Sequence, residues 1–176
     1  MRSLPQAGPS YAPPSEEEEE TMVEIAPAGP IDDDMRPGEK AVALPERFDA
    51  GLYFIGRIRT PWTERGSCPR RGDPEEGPVC TLEIDPRWAE ALTGIADCQR
   101  LQVLYWMNRA RRDLVLQSPR HDGDTRGTFA LRSPVRPNPV ASSVVRLVGV
   151  DGLRVQVRGL DCLDGTPLID LKVQHD

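Results

Sequence analysis

From residue 52 onward, apolar residues recur in short runs that stop at turn-forming residues, and only one stretch looks helical. Leu52-Tyr53-Phe54-Ile55-Gly56-Arg57-Ile58-Arg59 begins apolar, ends alternating and halts at Thr60-Pro61. Val79 to Ile84, Gln99 to Trp106, Asp113 to Leu116 and Thr128 to Leu131 are further runs of strand length. Runs of four to eight residues bounded by Gly, Pro, Asp or Ser read as strands. Asp85 is a good N-cap and Pro86 a good first helical residue, so a short helix is predicted from Pro86 to about Thr93, closed by Gly94. Val144 to Val150 leads into Asp151-Gly152 and then Leu153 to Arg158, whose alternation places Leu153, Val155 and Val157 on a buried face. Asp-Gly between two such runs predicts a hairpin with a type I′ turn, because both central positions of that turn need positive φ. Leu168 to Val173 supplies a last strand. About seven short strands, one or two short helices and no βαβ rhythm predict an all-β fold, a single closed antiparallel β-barrel.

The pattern breaks down before residue 47. Pro and Gly recur there, Glu16 to Glu20 is an unbroken acidic run and Asp32 to Asp34 is another. Such a segment cannot bury enough apolar surface to offset its ordering entropy. Residues 1–46 are therefore expected to be a disordered, acidic, Pro-rich arm, and residues 47–176 the folded domain. The net charge of −6 belongs to that arm, which has three basic and eleven acidic side chains, while the remainder has 19 basic and 17 acidic ones. No apolar run approaches the roughly twenty residues of a membrane helix, and residues 1–14 lack the apolar centre of a secretory signal. The expectation is a soluble cytoplasmic protein with no membrane association.

Cys68, Cys80, Cys98 and Cys162 are irregularly spaced, and the histidines, His121 and His175, stand near none of them. Zinc needs clustered ligands, so no metal is expected, and the cysteines read as free thiols. His121 is left as the single histidine that could serve as a base inside the domain. All basic residues but Lys40 and Lys172 are arginines. Arginine suits planar contact with phosphate or carboxylate, although a genome rich in arginine codons would give the same count.

Three loops carry more polar and special-geometry residues than turns require. Gly66 to Asp73 holds Arg70 and Arg71 side by side. In Arg132-Ser133-Pro134-Val135-Arg136-Pro137-Asn138-Pro139, three prolines hold Arg132, Arg136 and Asn138 on a stiff backbone, which lowers the ordering cost of a binding site. Asp161 to Pro167 reads, by itself, as a turn.

Together these segments resemble a known family. Gly56-Arg57-Ile58-Arg59-Thr60-Pro61 with Cys68-Pro69-Arg70-Arg71 is similar to its opening motif, Gly127 to Val140 to its "G-x-F-A-T-R-S-P-F-R-P-N-P-I-G", and Leu160 to Lys172 to its "L-D-L-x-D-G-T-P-V-x-D-I-K". The chain resembles the YaeB/TsaA-like (TrmO) family of S-adenosylmethionine-dependent tRNA methyltransferases over about residues 52 to 173. That resemblance implies a β-barrel methyltransferase that forms a homodimer, with the cofactor near the subunit interface. The implied activity is N6-methylation of threonylcarbamoyladenosine beside the tRNA anticodon. Carried over by motif, the S-adenosyl-L-methionine pocket comprises Pro69, Arg70, Arg71, Met107, Asn108, Arg132, Val144, Asp161, Cys162, Leu163 and Asp164. Arg136 and Asn138, farther along the proline loop, are expected to face the acceptor. Met107-Asn108 stands where the family commonly has His-Gln, and the sequence ends at Asp176 without the additional C-terminal domain of some tRNA-active members. Two other functions remain open: transfer to a small-molecule or other non-tRNA acceptor, and a non-enzymatic module that binds the cofactor.

Overall fold

Alternation along each strand sets an inner face of Ile58, Leu82, Leu101, Val103, Val145, Val155, Val157 and Leu168, all fully buried. The computed structural model describes residues 35–119 and 123–174. In chain order the strands are β1 (Lys40–Ala41), β2 (Gly56–Arg59), β3 (Cys80–Ile84), β4 (Arg100–Trp106), β5 (Leu114–Gln117), β6 (Arg126–Gly127), β7 (Val140–Asp151), β8 (Arg154–Arg158) and β9 (Pro167–Val173). Six of them close into an antiparallel barrel in the order β2-β3-β8-β7-β4-β9. Closure is made by β2 against β9, with Gly56 opposite Leu168 and Arg57 opposite Pro167. Closing the sheet removes free edges and encloses one apolar core.

The expected barrel is present with six strands rather than about seven, because the Asp113–Leu116 run joins a separate three-stranded sheet, β1-β5-β6. The Thr128–Leu131 run is no strand but a 3-10 turn over Thr128–Ala130. The buried Thr128 hydroxyl donates to the Leu114 carbonyl at 2.6 Å and accepts from Gln117 Nε2 at 2.8 Å. A side chain bonded in this way competes with the strand ladder. The hairpin also differs by one residue: Asp151 pairs with Arg154, so Gly152, at φ 55°, and Leu153 form the turn. The helix expected after Asp85 is a 3-10 helix over Pro86–Leu92, capped by the Asp85 carboxylate on the Arg87 N–H.

Part of the stretch given to the arm is built into the domain. Lys40 and Ala41 pair with Leu116 and Leu114, Arg36 donates to the Ser118 carbonyl, and Glu39 accepts from the Ser118 N–H. Backbone pairing to β5 holds this segment although its composition is that of a tail. Residues 1–34, with both acidic runs, lie outside the described residues. Among the described residues no helix is long and apolar enough to cross a membrane.

Strand direction gives the barrel two unlike ends. One gathers the ends of β2 and β4, the starts of β7 and β9, and the segment 159–166. The other is covered by Pro86–Leu92 and Ile95–Asp97.

Candidate cofactor site at the barrel mouth

The loops singled out by sequence converge on the first of these ends. Gly72 lies against the backbone of the 159–164 segment: a Cβ placed on it would stand 1.9 Å from the Gly159 carbonyl oxygen. Only glycine permits that approach, and it packs the loop that carries Arg70 and Arg71 against the segment that carries Asp161. Cys68 lies within the field of the same carboxylate; burial first, and the Asp161 charge second, push its thiol above the ordinary range. On the opposite rim, the Met107 N–H donates to the Pro139 carbonyl at 2.8 Å, tying the end of β4 to the proline loop. Arg112 stacks on Trp106 and Phe48, 5.4 and 5.1 Å from the ring centroids, and its Nε donates to the Pro137 carbonyl at 2.5 Å. A fixed cation stacked on aromatic faces and bonded to a stiff loop holds that loop in place.

Inside the mouth is a polar cluster that the sequence reading missed. The Tyr105 hydroxyl donates to Asp161 Oδ1 at 2.6 Å, and Ser143 Oγ donates to the same oxygen at 3.1 Å. The Tyr105 and Ser143 oxygens are 2.9 Å apart. Tyr105 is 3% exposed; burial, reinforced by the Asp161 charge, holds its phenol far above the usual range, so it remains a donor. The available signal was Ser142-Ser143 between the apolar pairs Val140-Ala141 and Val144-Val145, with Ser143 at an inward position.

Each residue carried over by motif has a definite place. Arg70, Arg71 and Arg132 are exposed, without hydrogen bonds or ion pairs among the described residues. Pro69, Met107, Asn108, Asp161 and Leu163 are half-buried around the mouth. Cys162 is fully buried in the core, and its carbonyl accepts from the Thr60 hydroxyl at 2.9 Å. Asp164 is already engaged: its Oδ1 accepts from the Thr60 N–H at 3.1 Å and its Oδ2 meets Arg59 at 3.4 Å. Val144 projects from the outer wall of β7 beside Gln102, 41% exposed, away from the mouth of its own barrel. Arg136 folds back on its own loop, donating to the Ser133 and Leu131 carbonyls at 2.9 and 2.5 Å. Asn138 is exposed and accepts from Arg112 at 3.4 Å. His121 lies outside the described residues. Among those residues no group of His, Cys, Asp and Glu is arranged to hold a metal.

A hollow of about 270 Å³ lies at the other end of the barrel, lined by Ile55, Trp88, Leu92, Ile95 and Leu171 among others. Its lining is chiefly apolar, whereas the mouth offers the open carboxylate oxygen of Asp161.

The class defined by fold and site is thus a small antiparallel β-barrel with a buried Tyr-Ser-Asp cluster at its mouth. Comparison with known proteins places it further. The chain belongs to the tRNA-methyltransferase O N-terminal domain family, whose profile matches residues 57–175. A probable S-adenosyl-L-methionine-binding protein of Rhizobium radiobacter, VirR, is 55% identical over 138 residues, 78% of either chain. An S-adenosyl-L-methionine-binding protein of Archaeoglobus fulgidus is 38% identical over 69% of this chain and 86% of its own. The crystal structure of TrmO from Pseudomonas aeruginosa superposes with a TM-score of 0.59 at 34% identity, over 74% of this chain and 56% of that one. The chain therefore spans little more than half of that TrmO chain.

Proposed function

We propose that the chain is an S-adenosylmethionine-dependent methyltransferase whose acceptor is N6 of threonylcarbamoyladenosine beside the tRNA anticodon, acting in the cytoplasm as a homodimer. The observation that carries this reading is the mouth itself: the half-buried carboxylate of Asp161, with one oxygen open among the described residues, lies beside the 66–73 loop that carries the exposed Arg70 and Arg71. These residues fit the cofactor. The arginines suit its methionine carboxylate, the open oxygen of Asp161 suits its ribose hydroxyls, and Met107 and Leu163 offer apolar surface to the adenine.

When bound, S-adenosylmethionine supplies a sulfonium methyl group, transferred by in-line displacement. What the chain contributes is alignment and charge. A carbamoylated adenine nitrogen is a poor nucleophile because its lone pair is delocalised, so stabilising the negative charge that develops on deprotonation lowers the barrier. Arg132 suits that role as well, since it has no partner among the described residues, whereas the Arg136 guanidinium is spent on its own loop. The place of Val144 on the outer barrel wall, with Val140 and Val148 also exposed there, supports a second subunit that brings this wall to a neighbouring mouth.

Calorimetry with S-adenosylmethionine, followed by methyl transfer to bulk tRNA from a strain lacking the gene, tests the proposal. Micromolar binding and label incorporated into tRNA are expected. Absence of any binding overturns it entirely. Binding without transfer to tRNA would leave a different acceptor or a cofactor-binding module.

A further inference from the structure

We propose that Tyr105 and Ser143 are positioning residues that lock the Asp161 carboxylate so that its second oxygen receives the ribose hydroxyls of the cofactor. The inference rests on the reading of the mouth given above and concerns residues outside the motif-derived set.

Asp161 lies in the segment after Gly159, outside any strand, and has no ladder of its own to fix it. Its restraint comes from two strands that are barrel walls: Tyr105 projects inward from β4 and Ser143 inward from β7. Both contacts fall on Oδ1, and Oδ2 accepts nothing among the described residues. The arrangement thus presents one carboxylate oxygen with its lone pairs unclaimed, aimed by rigid elements, which is how a binding group is pre-organised.

Proton accounting ranks the two holders. Three oxygen–oxygen contacts, at 2.6, 2.9 and 3.1 Å, share only the two hydroxyl protons of Tyr105 and Ser143. Tyr105 commits its proton to the shortest contact. The Ser143 proton is divided between the Tyr105 oxygen and Asp161, so Tyr105 is the principal holder and Ser143 the lesser. The barrel around them is otherwise lined by Val103, Val145, Val155 and Val157. Phenylalanine and alanine would fill these positions without any polar group to desolvate.

Location favours the ribose over the amino-acid end. Tyr105 is buried and Asp161 half-buried, and Met107, just past the end of β4, packs against the core. An adenine resting on Met107 and Leu163 sets its ribose over Asp161. The methionine end is then left to the 66–73 loop, whose Gly72 touches Gly159 and whose Arg70 and Arg71 are exposed.

A double-mutant cycle decides the matter, with S-adenosylhomocysteine and 5′-methylthioadenosine as probes in calorimetry. The second probe keeps the ribose and lacks the amino-acid group. Tyr105→Phe should weaken both probes about tenfold, in line with losing a hydrogen bond to a charged group, and Ser143→Ala should weaken both about threefold. In an Asp161→Ala background, Tyr105→Phe should change neither affinity by more than about twofold. The same loss in both backgrounds would make Tyr105 merely structural and overturn the proposal. So would wild-type affinity in Tyr105→Phe, or a loss for S-adenosylhomocysteine alone, which would move Asp161 to the amino-acid end. If Tyr105→Phe does not fold, Ser143→Ala carries the same cycle. Failure of the wild-type protein to bind either probe would refute the cofactor reading itself, an outcome distinct from all of these.

Discussion

Replacing Gly72 by alanine tests whether the mouth is assembled by the contact of two loops. The added methyl would stand 1.9 Å from the Gly159 carbonyl oxygen and 3.0 Å from the Leu160 carbonyl carbon. Both are backbone atoms that cannot swing aside. Gly159 cannot retreat easily, since it sits at φ +109° with Pro74 pressed against it. The displacement must therefore go into the 66–73 loop, by roughly 1 Å before even a tight contact is restored. Overpacking of this kind costs about 1–3 kcal/mol. For a domain of this size that corresponds to a fall in Tm of about 3–10 °C. The functional effect should be larger in proportion, because Arg70 and Arg71 ride on the displaced segment and move away from Asp161. A misplacement near 1 Å can cost about a hundredfold in rate, and cofactor affinity should fall about tenfold. Thermal unfolding and calorimetry with S-adenosylhomocysteine measure both. Wild-type Tm and Kd would refute the steric argument, and a lowered Tm with unchanged Kd would show that this contact stabilises the fold without building the pocket.

Arg132→Ala should leave stability within about 0.5 kcal/mol, as expected of an exposed residue without partners, while weakening cofactor binding about tenfold by calorimetry. Asp164→Ala should do the reverse: losing the Thr60 N–H bond and the Arg59 pair costs about 1 kcal/mol in denaturant unfolding, with cofactor affinity changed less than about twofold. The Cys80 and Cys162 thiols should resist iodoacetamide at pH 8 until the protein unfolds, because burial pushes Cys80 up to about 11 and raises Cys162 too; rapid labelling of either in the native state, seen by mass spectrometry, would contradict their placement. Deleting residues 1–45 should destabilise the domain by about 1–2 kcal/mol relative to deleting 1–34, through loss of β1 and the bonds to Ser118; equal stability would restore the arm boundary at residue 46.

What the sequence determined by itself is local in origin. Alternation identified the inward residues Val155 and Val157 because neighbouring side chains of a strand must face opposite ways, while Leu153, given to the same face, is half-buried in the turn. Asp85-Pro86 marked the capped 3-10 helix because cap and φ preference act within a few residues. The motif segments marked the loops that meet at the mouth. Only the tertiary structure decided between chemically equal candidates. Asp161 and Asp164 lie three residues apart, yet one is held by Tyr105 and Ser143 and the other by Thr60 and Arg59. Arg132 has no partner among the described residues, while Arg136 is bound to the carbonyls of its own loop. Val144 lies on the outer wall, and Lys40–Ala41 in a sheet that its composition argued against. The side chains that hold Asp161 come from 56 residues away, for Tyr105, and 18 residues away, for Ser143. They meet it only once β4 and β7 pair and the barrel closes, and no periodicity within a strand encodes that meeting.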